Sequence, residues 1–210
     1  MIELHYLPSI QYVSKGLLHD AILLDGAEHY QKGSYRNRCR IAGPQGVQRL
    51  SIPLTKGKNE RMPIREVRVS THTDWQRQHW RSLQAAYGKS PFFEHYADEL
   101  ARYFETPTVF LWDWNEGLLR RLAGWLGLEV SIKETVQWHV QPAPTLHDLR
   151  NSIHPKAHRR LPDPRFSPVA YGQVFQDRHG FLPNLSALDL LCCCGPEARL
   201  ILIRSTQTNA

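Results

Sequence analysis

The spacing of apolar residues changes along this chain, and the change limits the folds that the chain can adopt. In the first third, apolar residues form short runs or alternate with polar ones, as in IELHYL at 2–7, AILL at 21–24, VQRLSIPL at 47–54 and IREVRVS at 64–70. Between residues 75 and 126 they recur close to every 3.6 positions. The first pattern is typical of strands and the second of helices. The sequence therefore predicts an α/β protein.

Three helices are expected in the central part. The first starts after Asp74, and the second at Ser90-Pro91, a capping residue followed by a first-turn proline. Pro107 ends the second helix because proline cannot continue the hydrogen-bond ladder. The third runs from Asp113 to Gly127, where glycine can adopt the left-handed conformation that commonly ends helices.

The last third is less regular. LEVSIKET at 128–135 predicts a strand, and RLILI predicts another within the C-terminal tail 199–210. Residues 139–168 contain six prolines and four histidines, which predicts a long loop of the kind that is usually functional or disordered. We expect this loop to be ordered, because the helix NLSALDLLCCC at 184–194 follows it and must pack onto the core.

The fold class that follows is a single α/β domain over residues 1–210. A mixed sheet, built from the N-terminal third and the C-terminal part, is packed by the central group of three helices. No internal repeat is visible, and 210 residues suffice to bury one core.

One segment concentrates positive charge. The basic stretch, HYQKGSYRNRCR at 29–40, contains one lysine and three arginines without an acidic residue, in a chain of net charge +6 at pH 7. Guanidinium and ammonium groups gathered after a buried strand can bind phosphate or carboxylate. The candidate anion-binding residues are Lys32, Arg36, Asn37 and Arg38. The alternative is a solvated edge strand whose charges prevent aggregation.

Histidine supplies the candidates for proton transfer, because it is the usual general base near neutral pH. His29 lies within the basic stretch. His179 lies in the segment YGQVFQDRH at 171–179, which predicts extended structure, so that Asp177 would share its face. A single histidine is more often structural than catalytic, and geometry has to decide between the two.

Several classes of protein are excluded or disfavoured. The common nucleotide, hydrolase and zinc motifs do not occur, so no metal site is predicted. The cysteine run 192–194 falls at the C-terminal end of an apolar helix, where the helix dipole disfavours a thiolate, and predicts packing. The aromatic residues between 75 and 96 are expected in the core. The N-terminus does not read as a secretory signal and no apolar window approaches a membrane span, so the sequence predicts a cytoplasmic protein without membrane insertion.

Several segments, in order and over nearly the whole chain, resemble the WbqC-like family. They are YLPSIQYVSK, EHYQKGSYRNRCRIAGPQGVQRLSIPL, IREVRV, WQRQHWRSLQAAYGKSPFFEHY, IHPK and VFQDRHGFLPNLSALDLLCCCGPEA. The family pattern falls on Tyr6, Pro8, Tyr12, Lys32, Arg36, Asn37, Arg38, Pro53, Trp75, His79, Tyr87, Pro91, Phe92, Asp189 and Gly195-Pro196. Longer members have a glutamine-proline pair where this chain has Leu4-His5, and an extended central part that it lacks.

The resemblance adds further candidate site residues. They are Tyr6, Tyr12, His79 and Tyr87, together with His154 and Lys156 of the IHPK segment.

The resemblance also implies a function. Members of the family are bacterial, and some are encoded among genes for O-antigen and other surface polysaccharides. This implies a transferase that moves an acyl or aminoacyl group to an amino sugar, holding a phosphorylated donor or nucleotide sugar at the basic stretch, with His29 or His179 as the base. The sequence names no cofactor and does not determine the oligomeric state.

Two alternatives stay open beside the transferase. One is a non-catalytic module that binds a nucleotide, a nucleic acid or a partner protein through the same charge, with nucleic acid less favoured than a phosphorylated small molecule. The other is a hydrolase that uses a histidine with Asp177. The sequence leaves open whether the chain is an enzyme and favours a transferase.

Overall fold

The computed structural model describes residues 1–55, 61–137 and 145–206. The helices in these ranges are α1 (Ile10–Ser14), α2 (Trp75–Tyr87), α3 (Phe93–Glu105), α4 (Leu111–Trp125), α5 (Gln176–His179), α6 (Ala187–Cys194) and α7 (Ala198–Arg204). The strands are β1 (Ala21–Leu24), β2 (Arg38–Gly43), β3 (Gly46–Ser51) and β4 (Ser131–Glu134). In the described part of the chain, no helix has both the length and the apolar character needed to cross a membrane.

The strands form two separate two-stranded sheets. β1 runs parallel to β4, with Ala21 opposite Ser131 and Leu24 opposite Glu134. β2 and β3 form an antiparallel hairpin whose turn ends at Gly46, with φ +98°, a conformation that glycine adopts without strain. The α/β class is confirmed, with two small sheets in the place of one mixed sheet.

The three predicted central helices form, because each presents an apolar stripe to one core. Two starts differ from the prediction: α3 begins at Phe93, since Ser90 donates to the Tyr87 carbonyl and does not cap it, and α4 begins at Leu111 and not at Asp113. α2 buries Leu83 and Tyr87, α3 buries Leu100, and α4 buries Leu118 and Leu122, all at 0% exposure. The aromatic residues of α2 and α3 belong to this core. They are therefore packing residues, as the sequence indicated.

The predicted C-terminal helix is confirmed as α6, which lies at the centre of the core and contacts α2, α3 and α4. Ser186 caps its N-terminus by accepting the N–H of Leu188 at 3.3 Å. Gly195, with φ +50°, ends it, and a β-carbon there would lie 2.4 Å from the Phe92 ring. Burial raises the pKa of Cys194 to about 11, in keeping with a packing role for the cysteine run.

Some strand predictions are wrong. IREVRVS forms a 3₁₀ turn over Ile64–Glu66, followed by isolated bridges at Arg68 and Val69. RLILI lies in α7, since the periodicity of a short apolar run cannot separate a strand from a helix. IELHYL contributes only the bridge between Ile2 and Leu24.

The proline- and histidine-rich loop packs against the rest of the protein over its described residues, 145–168. It is irregular apart from a 3₁₀ turn at Ala157–Arg159. Leu149 donates its N–H to the Met1 carbonyl at 2.8 Å, and Ile153 is 3% exposed. The part of the predicted loop at 139–144 and the end of the predicted tail, 207–210, lie outside the described residues.

Candidate functional site

A cavity of about 720 Å³ opens between the basic stretch and the proline- and histidine-rich loop. One wall comes from residues 28–32 and Arg61, and the opposite wall from four residues of the loop. The lining residues are Glu28, His29, Tyr30, Gln31, Lys32, Arg61, Asp148, Arg150, Asn151 and Arg159. A concave site with several convergent polar groups is where small molecules usually bind, so this cavity is the candidate site.

The loop contacts the basic stretch directly at Gly33. This glycine has φ +85°, in the left-handed region that favours glycine. The Nζ atom of Lys156 lies 3.8 Å from where a β-carbon of Gly33 would stand. His154, 3% exposed, accepts the N–H of Lys156 at Nδ1 over 3.0 Å, and burial lowers its pKa. The two IHPK candidates therefore support the loop beside the cavity.

The side chains of the basic stretch lie in different environments, because the backbone changes direction within the stretch. Ser34 accepts the N–H of Arg36 at 3.4 Å and starts a 3₁₀ turn, after which β2 begins. Lys32 lines the cavity, Arg36 turns into the interior with 0% exposure, and Arg38 is only partly buried. The side chain of Asn37 donates to the Ile52 carbonyl at 2.9 Å, which ties the stretch to the end of β3.

Arg36 is paired with Glu28, the residue immediately before the basic stretch. Its Nε donates to Glu28 Oε1 at 2.8 Å, and its Nη2 donates to Glu28 Oε2 and, at 3.2 Å, to Asn151 Oδ1. Burial raises the pKa of Glu28 to about 7, and the guanidinium acts in the opposite direction. Arg36 thus holds a cavity wall in place through Glu28 and Asn151.

A second buried carboxylate, Glu3, lies behind the same cavity wall. Glu3, 1% exposed, accepts the backbone N–H of Asn151 at 2.8 Å and lies 3.0 Å from His5 Nε2. Burial raises the pKa of Glu3, but the contributions of His5, Arg36 and the Asn151 N–H together outweigh burial and bring it down to about 2. Burial lowers the pKa of His5, and the hydrogen bond and charge of Glu3 act in the opposite direction. Asn151 has φ +59°. Its backbone N–H is held by Glu3 and its side-chain oxygen by Arg36, so both parts of the residue are fixed.

The loop side of the cavity carries its own paired charges. Arg150 binds both oxygens of Asp148, at 2.9 and 2.8 Å, and reaches the buried Asp25 at 3.0 Å. The hydrogen bond from Arg150 lowers the pKa of Asp148. Both acidic residues that line the cavity, Glu28 and Asp148, therefore already have arginine partners.

Three other cations line the cavity around Glu28 and Asp148, the acidic residues that form its neutralised floor. Lys32, Arg61 and Arg159 line the cavity, are exposed, and form no ion pair with any residue that the structure describes. An anion entering the cavity would meet unpaired ammonium and guanidinium donors from both walls. This arrangement suits a phosphate or carboxylate group.

The two candidate bases lie in different places. His29 is exposed and lines the cavity. His179 lies with Nε2 2.9 Å from the Pro44 carbonyl, at the turn between β2 and β3. The expected pairing with Asp177 on one strand face is wrong, because both residues lie in α5, where residues two apart do not face each other. Only His29 is brought together with Lys32.

The aromatic candidates hold the core together. The Tyr6 hydroxyl lies 2.9 Å from His79 Nδ1, and burial lowers the pKa of His79 to about 4. The ring is therefore neutral near pH 7, and its Nδ1 shares a hydrogen bond with the Tyr6 hydroxyl. Tyr12 donates to the Glu3 carbonyl at 2.9 Å, and Tyr87 accepts a backbone N–H of β2 at 3.2 Å. All four side chains are buried and line no wall of the cavity.

Sequence reasoning missed six lining residues whose charge or polarity matters. They are Glu28, Arg61, Asp148, Arg150, Asn151 and Arg159. Four of these belong to the loop 139–168, whose length had indicated function, and Glu28 adjoins the basic stretch. Nothing in the sequence singles out Arg61. Over the described residues, no group of three or more potential metal ligands occurs.

The fold and the cavity define a class: an α/β protein with a cavity that has a basic rim. The model of the WbqC-like protein family matches residues 4–159, a range that includes every lining residue. The chain belongs to this family.

One curated relative is similar to the chain over nearly its whole length. It is the uncharacterized protein Rv1507c of Mycobacterium tuberculosis (strain ATCC 25618 / H37Rv), 27% identical over 218 residues, which cover 94% of each chain. No solved structure matches the chain.

Proposed function

We propose that the cavity binds a phosphate-bearing small molecule and that the chain acts on this ligand as a transferase. The observation that carries the proposal is a set of three cations, Lys32, Arg61 and Arg159, which form no ion pair within the described ranges. They surround a cavity whose acidic lining residues already have arginine partners. Cations that lack a protein partner and converge on a concave surface favour an anionic ligand. Arg36 is buried and would not contact the ligand; its role would be to position Glu28 in the cavity wall.

The finer part of the proposal rests on the family. The ligand would be a phosphorylated donor or nucleotide sugar, and an acyl or aminoacyl group would pass to an amino sugar during synthesis of a bacterial surface polysaccharide. All four cysteines are free, which suits the reducing cytoplasm as the site of this reaction.

His29 is the proposed base for the transfer. The attacking hydroxyl or amine would lose its proton to His29 while its oxygen or nitrogen forms the new bond to the acyl carbon. The leaving group would depart with the electrons of the broken bond. Lys32 and Arg159 would hold the phosphate, and an unpaired donor near the acyl carbonyl would stabilise the oxyanion.

The proposal is tested by ligand binding. Thermal shift and calorimetry with nucleotide sugars, nucleotides, coenzyme A thioesters and pyrophosphate would be measured for the natural chain and for Lys32→Ala, Arg159→Ala and Lys89→Ala. A charge-assisted contact contributes about 1.5–3 kcal/mol, so either cavity variant should weaken binding about 10- to 100-fold. Lys89 is exposed at the end of α2 and is the matched control.

The outcomes separate the alternatives. If no phosphorylated compound binds, or if both cavity variants bind as the natural chain does, the proposal fails. Binding of nucleic acid alone, with affinity falling steeply as salt rises, would favour the binding-module alternative. The hydrolase alternative requires His179 with Asp177, and α5 does not place these two side chains on one face.

A further inference from the structure

The outer face of the β2–β3 hairpin carries three arginines. Residues directly opposite each other in an antiparallel pair share a face, as do residues two apart in one strand. Arg40 lies opposite Arg49, and Arg38 lies two residues before Arg40, opposite Ser51. The other face, with Cys39, Ile41 and Leu50, is buried in the core. The three arginines therefore lie together on the opposite face, which is solvent-facing except at Ala42, a buried residue near the turn.

The charges on this face are uncompensated. Arg40 and Arg49 form no ion pair and no side-chain hydrogen bond with any of residues 1–55, 61–137 and 145–206. The Nε atom of Arg38 is buried without a hydrogen-bond partner in the same described part. Like charges directly opposite each other destabilise a hairpin. A stability cost of this kind is understandable where the charges serve to bind something.

We propose that Arg40 and Arg49 clamp a phosphate dianion on the outer face of the hairpin, as a second anion site distinct from the cavity. Opposed guanidinium groups can each offer a fork of two N–H donors, which matches the geometry of phosphate oxygens. Arg38 lies one strand repeat further along and extends the positive face toward a second phosphate.

The composition of the face favours a small phosphorylated molecule over a single-stranded nucleic acid. Its other exposed members are Val47, which is 41% exposed, and Ser51. Single-strand binding without sequence preference normally uses aromatic side chains on which bases stack, and the face offers none. The ligand class is therefore a phosphate monoester or diphosphate.

The test is a titration of the chain with pyrophosphate at low salt, in which binding is measured by calorimetry. The variants are Arg40→Ala, Arg49→Ala and Arg40→Lys, the last of which keeps the charge but loses the fork. Arg81→Ala removes an exposed arginine from α2 and is the charge-matched control. A Lys32→Ala background weakens the cavity site about 10- to 100-fold, so that failure of the two sites can be told apart.

In the Lys32→Ala background, we expect saturable pyrophosphate binding that weakens at least tenfold in both alanine variants and in Arg40→Lys, and is unchanged in Arg81→Ala. Without ligand, Arg40→Ala should melt at a slightly higher temperature than its parent, because the repulsion from Arg49 is removed. The clamp is refuted by absent binding, by equal binding in all variants, or by binding of a DNA oligonucleotide in place of pyrophosphate.

Discussion

Replacing Arg36 by methionine should destabilise the folded protein strongly. The side chain is 0% exposed, and it donates to both oxygens of Glu28 and to Asn151. Methionine fills part of the volume but leaves the Glu28 carboxylate, 3% exposed, without a counter-charge. Breaking a buried ion pair from one side costs about 3–5 kcal/mol. For a chain of this length that lowers the melting temperature by roughly 6–20 °C.

The assay is thermal and urea unfolding followed by circular dichroism. Lys32→Met, in the same stretch but exposed in the cavity, is the control and should stay within about 0.5 kcal/mol of the natural chain. The double variant Arg36→Met with Glu28→Gln should be more stable than Arg36→Met alone, because the unpaired charge is gone.

The pH dependence gives a second readout for the same pair. The raised pKa of Glu28, about 7 against an ordinary 4.5, means that its contribution to stability is fully present below pH 4.5 and is lost as pH rises through 7. Removing Arg36 raises this pKa further, so the stability gap between variant and natural chain should widen from pH 5 to pH 8. A variant with an unchanged melting temperature, or a gap that is equal at both pH values, would refute the reasoning.

Three further predictions concern the support of the site and the core. Asn151→Gly keeps the positive φ but loses the side-chain acceptor and should cost about 1 kcal/mol, whereas Asn151→Val adds backbone strain and should cost more by urea unfolding. Because the pKa of His79 is lowered to about 4, the contribution of this residue to the free energy of unfolding is fully present above pH 6.5. It is lost as pH falls through 4. The loss of stability at low pH should be smaller in His79→Gln. Equal acid-unfolding profiles for this variant and the natural chain would contradict a neutral His79 ring in the folded protein. Gly195→Ala should destabilise by more than 1 kcal/mol, since it adds strain at φ +50° and a clash with Phe92; a melting temperature within 1 °C of the natural chain would contradict this.

The candidate site was predicted in part. The basic stretch was the candidate anion-binding segment, the long loop was of a kind that is usually functional or disordered, and the cavity lies between them. The role of Arg36 was not foreseen, because its partner Glu28 lies just outside the acid-free stretch. Asn151 was missed as well, since its hydrogen bond with Arg36 joins residues 115 positions apart. A pairing of that range leaves no periodic trace in the sequence.

The sequence by itself determined what local interactions control. The central helices follow from apolar residues spaced at 3.6 positions, whose hydrogen bonds close within four residues. The strand at VQRLSIPL, which contains most of β3, follows from a period of two. Local pattern also placed the cysteine run at the C-terminal end of a helix, where the dipole disfavours a thiolate.

Only the tertiary structure decided where each charge of the basic stretch lies. Lys32 lines the cavity, Arg36 is buried against Glu28, and Arg38 joins the outer face of the hairpin. It also decided that RLILI is a helix, α7, which packs against α6 and buries Leu202 while Leu200 and Ile203 stay about half exposed. The physical reason is the same in each case: burial and ion pairing depend on which distant segments meet, and a one-dimensional pattern records only neighbours along the chain.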